Sequence, residues 1–222
     1  MGSRRRQIVD SHRVLTRATS RMDAFSDGVF AIAITILVLE IAVPAGSEEH
    51  LLQAVLDQWP SYLAYLVSFV TVGAVWLKHT VLTDMMSHAD HVFLRLNLLL
   101  LLLVSFVPFP TKLVAEHIGT NVGAERVSVV IYGLVVFAMS IVLSVMWRYA
   151  VRRGLMEQDI GEAEVEQSAK MFGPSIGFYA VGIAVAFIAP MVAVFVLLLV
   201  AILFWVPPGL FPGRRRGAPD SA

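Results

Sequence analysis

The sequence predicts an all-α membrane protein with six transmembrane helices per chain. Composition is the first observation behind this. Of 222 residues, 57% are hydrophobic and 15% charged, against about 45–50% apolar and about 25% charged in a soluble domain, and the mean hydropathy is +0.74. The second is the recurrence of apolar stretches near the length that crosses a ~30 Å hydrocarbon core, about 20 residues and ~17 at the short end. The third is a lopsided distribution of lysine and arginine among the connecting loops. Seventeen basic and seventeen acidic residues cancel overall, so no global field attracts nucleic acid. The chain has no cysteine, which excludes disulfides, thiolate metal sites and cysteine nucleophiles.

Residues 1–20 are polar and arginine-rich, without the apolar core and cleavage site of a signal peptide. They read as a cytoplasmic basic segment ahead of a six-helix transmembrane domain, 21–207, and a disordered cytoplasmic tail, 208–222. The spans fall near 22–43, 60–82, 92–114, 126–148, 172–188 and 190–206. Ser20 and Asp23 have the spacing of a capping box, so the first helix is expected to start at about Arg21. Pro108 and Pro110 interrupt the third span. Pro190 divides the fifth from the sixth, because an unbroken helix from Met171 to Val206 would be about 54 Å long, too long for the core. Pro207 and Pro208 end the last span. The inner connection 149–171 carries Glu157, Asp159, Glu162, Glu164 and Glu166 and reads as a solvated helix.

Six spans put both termini on one side. That side collects all but two of the seventeen lysines and arginines; the other keeps Lys112 and Arg126. The asymmetry places both termini in the cytoplasm.

Enzyme signatures are missing: there is no Gly-x-x-x-x-Gly-Lys, His-Glu-x-x-His or Gly-x-Ser-x-Gly, and the chain is not expected to be an enzyme. His88 and His91, with Asp84 and Asp90 nearby, have a spacing that suits a metal, but a polar interfacial loop is the preferred reading and no metal or cofactor is expected. Thr71-Val72-Gly73 opens like a carbonyl selectivity filter but continues Ala74-Val75 in mid-span, so Gly73 is read as a helix-packing residue.

The first span carries most of the information. Asp27 lies in its first turns and Thr35 deep in its apolar part; such groups in hydrocarbon mark function or a polar contact within a bundle. At ~100° per residue, Ile32, Thr35, Ile36, Leu39 and Val43 share one stripe. Ser26 and Asp27 lie about 120° and about 140° from Ile32, and Glu40 about 80°. At the depth of Asp27 the second span offers Trp76, Lys78 and His79, and the third Arg95 and Asn97. Ser26 and Asp27 are expected to fix the first span against these partners, with a proton relay as the alternative. The Thr35 hydroxyl either bonds back to the Ala31 carbonyl or stays free on the stripe.

Arg21-x-x-x-Phe25-Ser26-Asp27, continued by Ala31-Ile32-x-Ile34-Thr35 and Leu39-Glu40, resembles the signature of the lysosomal transmembrane potassium channel family and its prokaryotic relatives. Eukaryotic members have two six-helix repeats and prokaryotic members one. The single repeat here therefore implies a homotetramer in a bacterial cell membrane. The resemblance implies a potassium-permeable cation channel whose pore is lined by the first helix of each copy, with a constriction at Ile32, Ile36 and Leu39 and a selectivity ring at Thr35. Potassium and other monovalent cations would be the permeant partners. Isoleucine rings discriminate ions weakly, so potassium over sodium selectivity is expected to be modest. Glu40 near the outer mouth either concentrates cations or pairs with a neighbouring protomer. The competing class is a proton- or cation-coupled secondary transporter, which the breaks at Pro108 and Pro110 keep open.

Overall fold

Four prolines set the segmentation of the chain. Pro60, Pro108, Pro174 and Pro190 each occupy the first turn of a helix, where the missing N–H leaves no helix bond unmade. In the computed structural model, which describes residues 2–157 and 160–205, the helices are α1 (Gly2–Ile36), α2 (Leu51–Asp57), α3 (Trp59–Asp84), α4 (His91–Phe106), α5 (Pro108–His117), α6 (Val122–Arg153), α7 (Glu162–Phe172), α8 (Pro174–Ile188) and α9 (Pro190–Leu203). A 3-10 turn, Leu37–Glu40, continues α1. Among the described residues, five stretches are long and apolar enough to cross a membrane: Thr19–Glu40, Trp59–Asp84, His91–His117, Val122–Arg153 and Ser168–Ile188. Pro190–Leu203 is a shorter apolar sixth.

Two boundaries differ from the sequence reading, and the break expected in the third span is present. The first helix does not start at Arg21: α1 runs unbroken from Gly2, so Ser20 caps nothing and the boundary between 1–20 and 21–207 falls inside a helix. A capping box works only where the preceding chain leaves the helix. The first span also stops short of Val43. Ile41 is already extended and its N–H closes on the Val38 carbonyl, one residue cluster ahead of Pro44. The third span is two helices meeting at Val107, because Pro108 and Pro110 cannot donate to the preceding turn. The tail 208–222 lies outside the described residues.

The long α6 forms the centre. Val129, Tyr132, Val136, Met139, Leu143, Met146 and Ala150 are all buried, the three-and-four spacing of a packed helix face. Trp147 stacks on Phe172 at 4.6 Å between ring centroids. At one end of the bundle the α3–α4 and α6–α7 connections clip together: the Ser87 N–H donates to the Leu155 carbonyl at 2.9 Å and Glu157 N–H to the Met85 carbonyl at 3.0 Å.

Gly73 is a close-approach position. A Cβ there would lie 3.0 Å from Trp205 Nε1 and 3.1 Å from its Cζ2. Gly73→Val is expected to destabilise the bundle by roughly 1–3 kcal/mol through overpacking. Thermal unfolding in detergent checks this; an unchanged midpoint would show that α9 yields freely at its end.

Candidate functional site: the free face of the first span and its anchor

Two faces of α1 have opposite surroundings. Met22, Ser26, Phe30, Ala33 and Leu37 are buried, a stripe repeating every three to four residues that packs on α3 and α4. Phe25, Ile32, Ile36 and Leu39 are exposed, Ile32 by 60% and Leu39 by 73%. Thr35 shares that free face. An apolar face left uncovered by its own chain marks an interface with lipid or with another copy.

The buried face is held by a chain of hydrogen bonds through three helices. Asn97 on α4 donates its amide to Ser26 Oγ at 2.9 Å, and Ser26 Oγ donates to the Met22 carbonyl at 2.8 Å. His79 Nε2 on α3 meets Asn97 Oδ1 at 2.8 Å. The amide oxygen carries no proton, so His79 must donate through Nε2, which fixes its tautomer. Ser26, His79 and Asn97 are each at most 2% exposed. Phe30 packs on the His79 ring with centroids 5.6 Å apart. Every step has a donor and an acceptor, so the polar groups are tolerated in the interior.

Asp27 is anchored separately. It is exposed, and Trp76 Nε1 on α3 donates to its Oδ1 at 2.9 Å. Of the partners expected from sequence, Trp76 reaches Asp27, while His79 and Asn97 reach Ser26 through the chain above. Two do not come to the motif. Lys78 is buried on the opposite flank of α3, its Nζ 3.5 Å from the centroid of the Phe204 ring, a cation–π contact with the end of the last span. Neighbouring helix positions point about 100° apart, so Lys78 and His79 cannot both face α1. Arg95 is exposed on α4, two residues from Asn97 and on another face. Arg21 is exposed one residue before buried Met22.

Thr35 Oγ1 donates to the Ile32 carbonyl at 2.9 Å, not to Ala31. The two sequence readings are therefore compatible: the proton is spent on the helix and the oxygen lone pairs remain free on the exposed side. Glu40 is half-buried in a recess of about 420 Å³ that it lines with Asp57, Lys112 and Glu116.

Sequence reasoning missed the Met22 carbonyl and the Phe30 ring. Met22 was legible, since serine in a helix habitually bonds back to i−4. It also missed the role of Asp90. That carboxylate caps α4, accepting the Phe93 N–H at 2.8 Å, and accepts the Tyr149 hydroxyl. Burial alone would raise its pKa, but the bonds from Tyr149 and from the Phe93 and Val92 N–H groups, with the Arg153 charge, outweigh burial and hold it below the usual carboxylate range. A lowered carboxylate pKa stabilises the fold above the unfolded value of about 3.9 and loses that contribution as pH falls through the folded value. Asp90→Ala is expected to cost about 1–2 kcal/mol at neutral pH and less below about pH 4; unfolding midpoints across a pH series check it, and a pH-independent deficit would remove the charge from the account.

Residues 21–108, which contain α1 from Arg21 onward, α3, α4 and the whole hydrogen-bond chain, match the family model described as Endosomal/lysosomal potassium channel TMEM175. The chain is also 40% identical over 190 residues to a potassium channel of Chamaesiphon minutus, spanning 84% of this chain and 93% of that one. The chain belongs to the TMEM175 family. A potassium channel of Streptomyces collinus is 42% identical over 137 residues, 61% of this chain and 66% of the relative. The crystal structure of a lysosomal potassium-selective channel TMEM175 homolog from Chamaesiphon minutus superposes with a TM-score of 0.76 at 40% identity, covering 84% of this chain and 96% of that one. TMEM175 membership fits the all-helical fold, and the family match ends at Pro108, where the third span breaks.

Proposed function

We propose that this protein is a potassium-permeable cation channel of the cell membrane. Four copies form the pore, and the first helix of each lines it. The free apolar face of α1 carries the reading: its opposite face is locked to α3 and α4 by the Asn97–Ser26 bond, so the face bearing Ile32, Thr35, Ile36 and Leu39 is presented outward on a fixed helix. Four such faces around an axis make an apolar throat that passes ions only when wetted. The oxygens of four Thr35 residues replace part of a cation's hydration shell and supply the modest preference for potassium over sodium. Both termini lie in the cytoplasm, as the lysine and arginine asymmetry requires. The chain needs no cofactor; potassium is its cargo. Ser26 and Asp27 hold the lining helix in place and do not line the pore.

Thr35→Val tests this. The substitution is nearly isosteric and removes the only polar ring of the throat. The valine protein is expected to lose most of its potassium preference, read as the reversal potential under a potassium–sodium gradient in liposomes. Equal reversal potentials would make Thr35 a packing residue. Unitary currents from the purified protein distinguish a channel from a transporter, which gives none.

A further inference from the structure

The cytoplasmic end of α6 carries a basic recess that the pore does not use. Arg148, Tyr149, Arg152 and Arg153, all on α6, line an open groove of about 480 Å³, with Val145 one turn deeper. The three arginines are exposed, and among the described residues neither Arg148 nor Arg152 is paired with a carboxylate. Arg153 is placed differently: its guanidinium lies over the Tyr149 ring, 5.7 Å from the centroid, and the Tyr149 hydroxyl is tied to Asp90. Tyr149 therefore orients one wall, while the other two arginines have no carboxylate partner among the described residues.

The depth of the recess selects its occupant. The 32 residues of α6 make a helix about 48 Å long, well beyond a ~30 Å hydrocarbon core, so its last turns pass through the headgroup layer. From Val145 to Arg152 the lining changes from apolar to cationic over about 10 Å along the axis. Arginine close to the end of a helix is also favoured by the helix dipole, but the dipole does not require a tyrosine held by a capping aspartate. Planar guanidinium groups bind phosphate oxygens two at a time.

We infer that Arg148, Arg152 and Arg153 form a binding site for the phosphate of an anionic phospholipid in the cytoplasmic leaflet, with the first methylenes of its chains against Val145. The choice of leaflet rests on the lysine and arginine asymmetry; the site does not depend on the pore reading.

Native mass spectrometry of the full-length protein after equilibration with vesicles of phosphatidylcholine and phosphatidylglycerol tests the inference. The wild type is expected to retain phosphatidylglycerol about tenfold or more over R148Q/R152Q/R153Q, since each basic group at the surface adds about one kcal/mol of attraction. R214Q/R215Q/R216Q removes the same charge from the tail and should retain lipid as the wild type does. R148K/R152K/R153K keeps the charge, guards against a folding defect, and should fall between. Equal retention by the glutamine triple and the wild type would overturn the site, and so would equal loss in the tail variant. Inorganic phosphate in detergent should stabilise the wild type no more than the glutamine triple; selective stabilisation without lipid retention would make this a free phosphate site and overturn the lipid assignment.

Discussion

Ile32→Asn is expected to carry a several-fold larger unitary current than the wild type. Ile32 on the free stripe is 60% exposed, and on the proposed axis four copies close the throat by keeping it dry. An amide on each copy accepts and donates hydrogen bonds, so water enters and an ion no longer sheds its shell against hydrocarbon. Selectivity should weaken in the same variant, because ions pass hydrated. Single-channel recording at matched protein density decides: an unchanged current would move the constriction off Ile32.

Asn97→Leu is expected to be the most destabilising single change near the first span. It removes the bond to Ser26 and the acceptor for His79 together, leaving a buried imidazole N–H with no partner. Interhelical hydrogen bonds in membranes average only about 0.6 kcal/mol, so the lost bonds are the smaller part. The orphaned donor costs about 1–3 kcal/mol, for a combined loss of roughly 2–4 kcal/mol. Asp27→Ala breaks only the Trp76 bond at an exposed carboxylate and should cost about 1–2 kcal/mol. Cationic partners buried against Asp27 would raise that cost to ~3–5 kcal/mol; the structure has none there among the described residues and moves the weight to Asn97. Thermal unfolding and the yield of assembled protein rank the two variants, and a reversed order would show that Trp76 and Asp27 carry the anchor.

The six apolar segments were legible because hydrocarbon accepts only long apolar helices and proline marks their ends. The hairpin at Pro190 and the break at Pro108 follow from that rule alone. The start of α1 was not legible: a capping signal at Ser20 and Asp23 is local, while continuation through Gly2–Ser20 depends on the preceding chain remaining helical. The free stripe Ile32–Thr35–Ile36 could be read from 3.6-residue periodicity, and so could the depth at which Trp76, His79 and Asn97 meet the motif. Which of them point inward could not. Lys78 and His79 are adjacent in sequence and equally polar, and only the packing of α9, which brings Phe204 to the far side of α3, separates their roles.

The 3-10 turn at Leu37–Glu40 changes the phase of the screw at the outer end of the first span. An α-helix advances about 100° per residue and a 3-10 helix about 120°. Counted from Ile32 with the wider step beyond Ile36, Glu40 lies about 160° away, not the about 80° of an unbroken α-helix. With three residues per turn it stands directly above buried Leu37, while Leu39 stands above Ile36. On the proposed pore axis the carboxylate is thus turned aside, into a recess that Leu39, Asp57, Lys112 and Glu116 also line, and Leu39 stands nearer the axis than Glu40. In the proposed channel that charge would act on an arriving cation from behind a hydrocarbon collar, as a fixed background potential and not as a ligand.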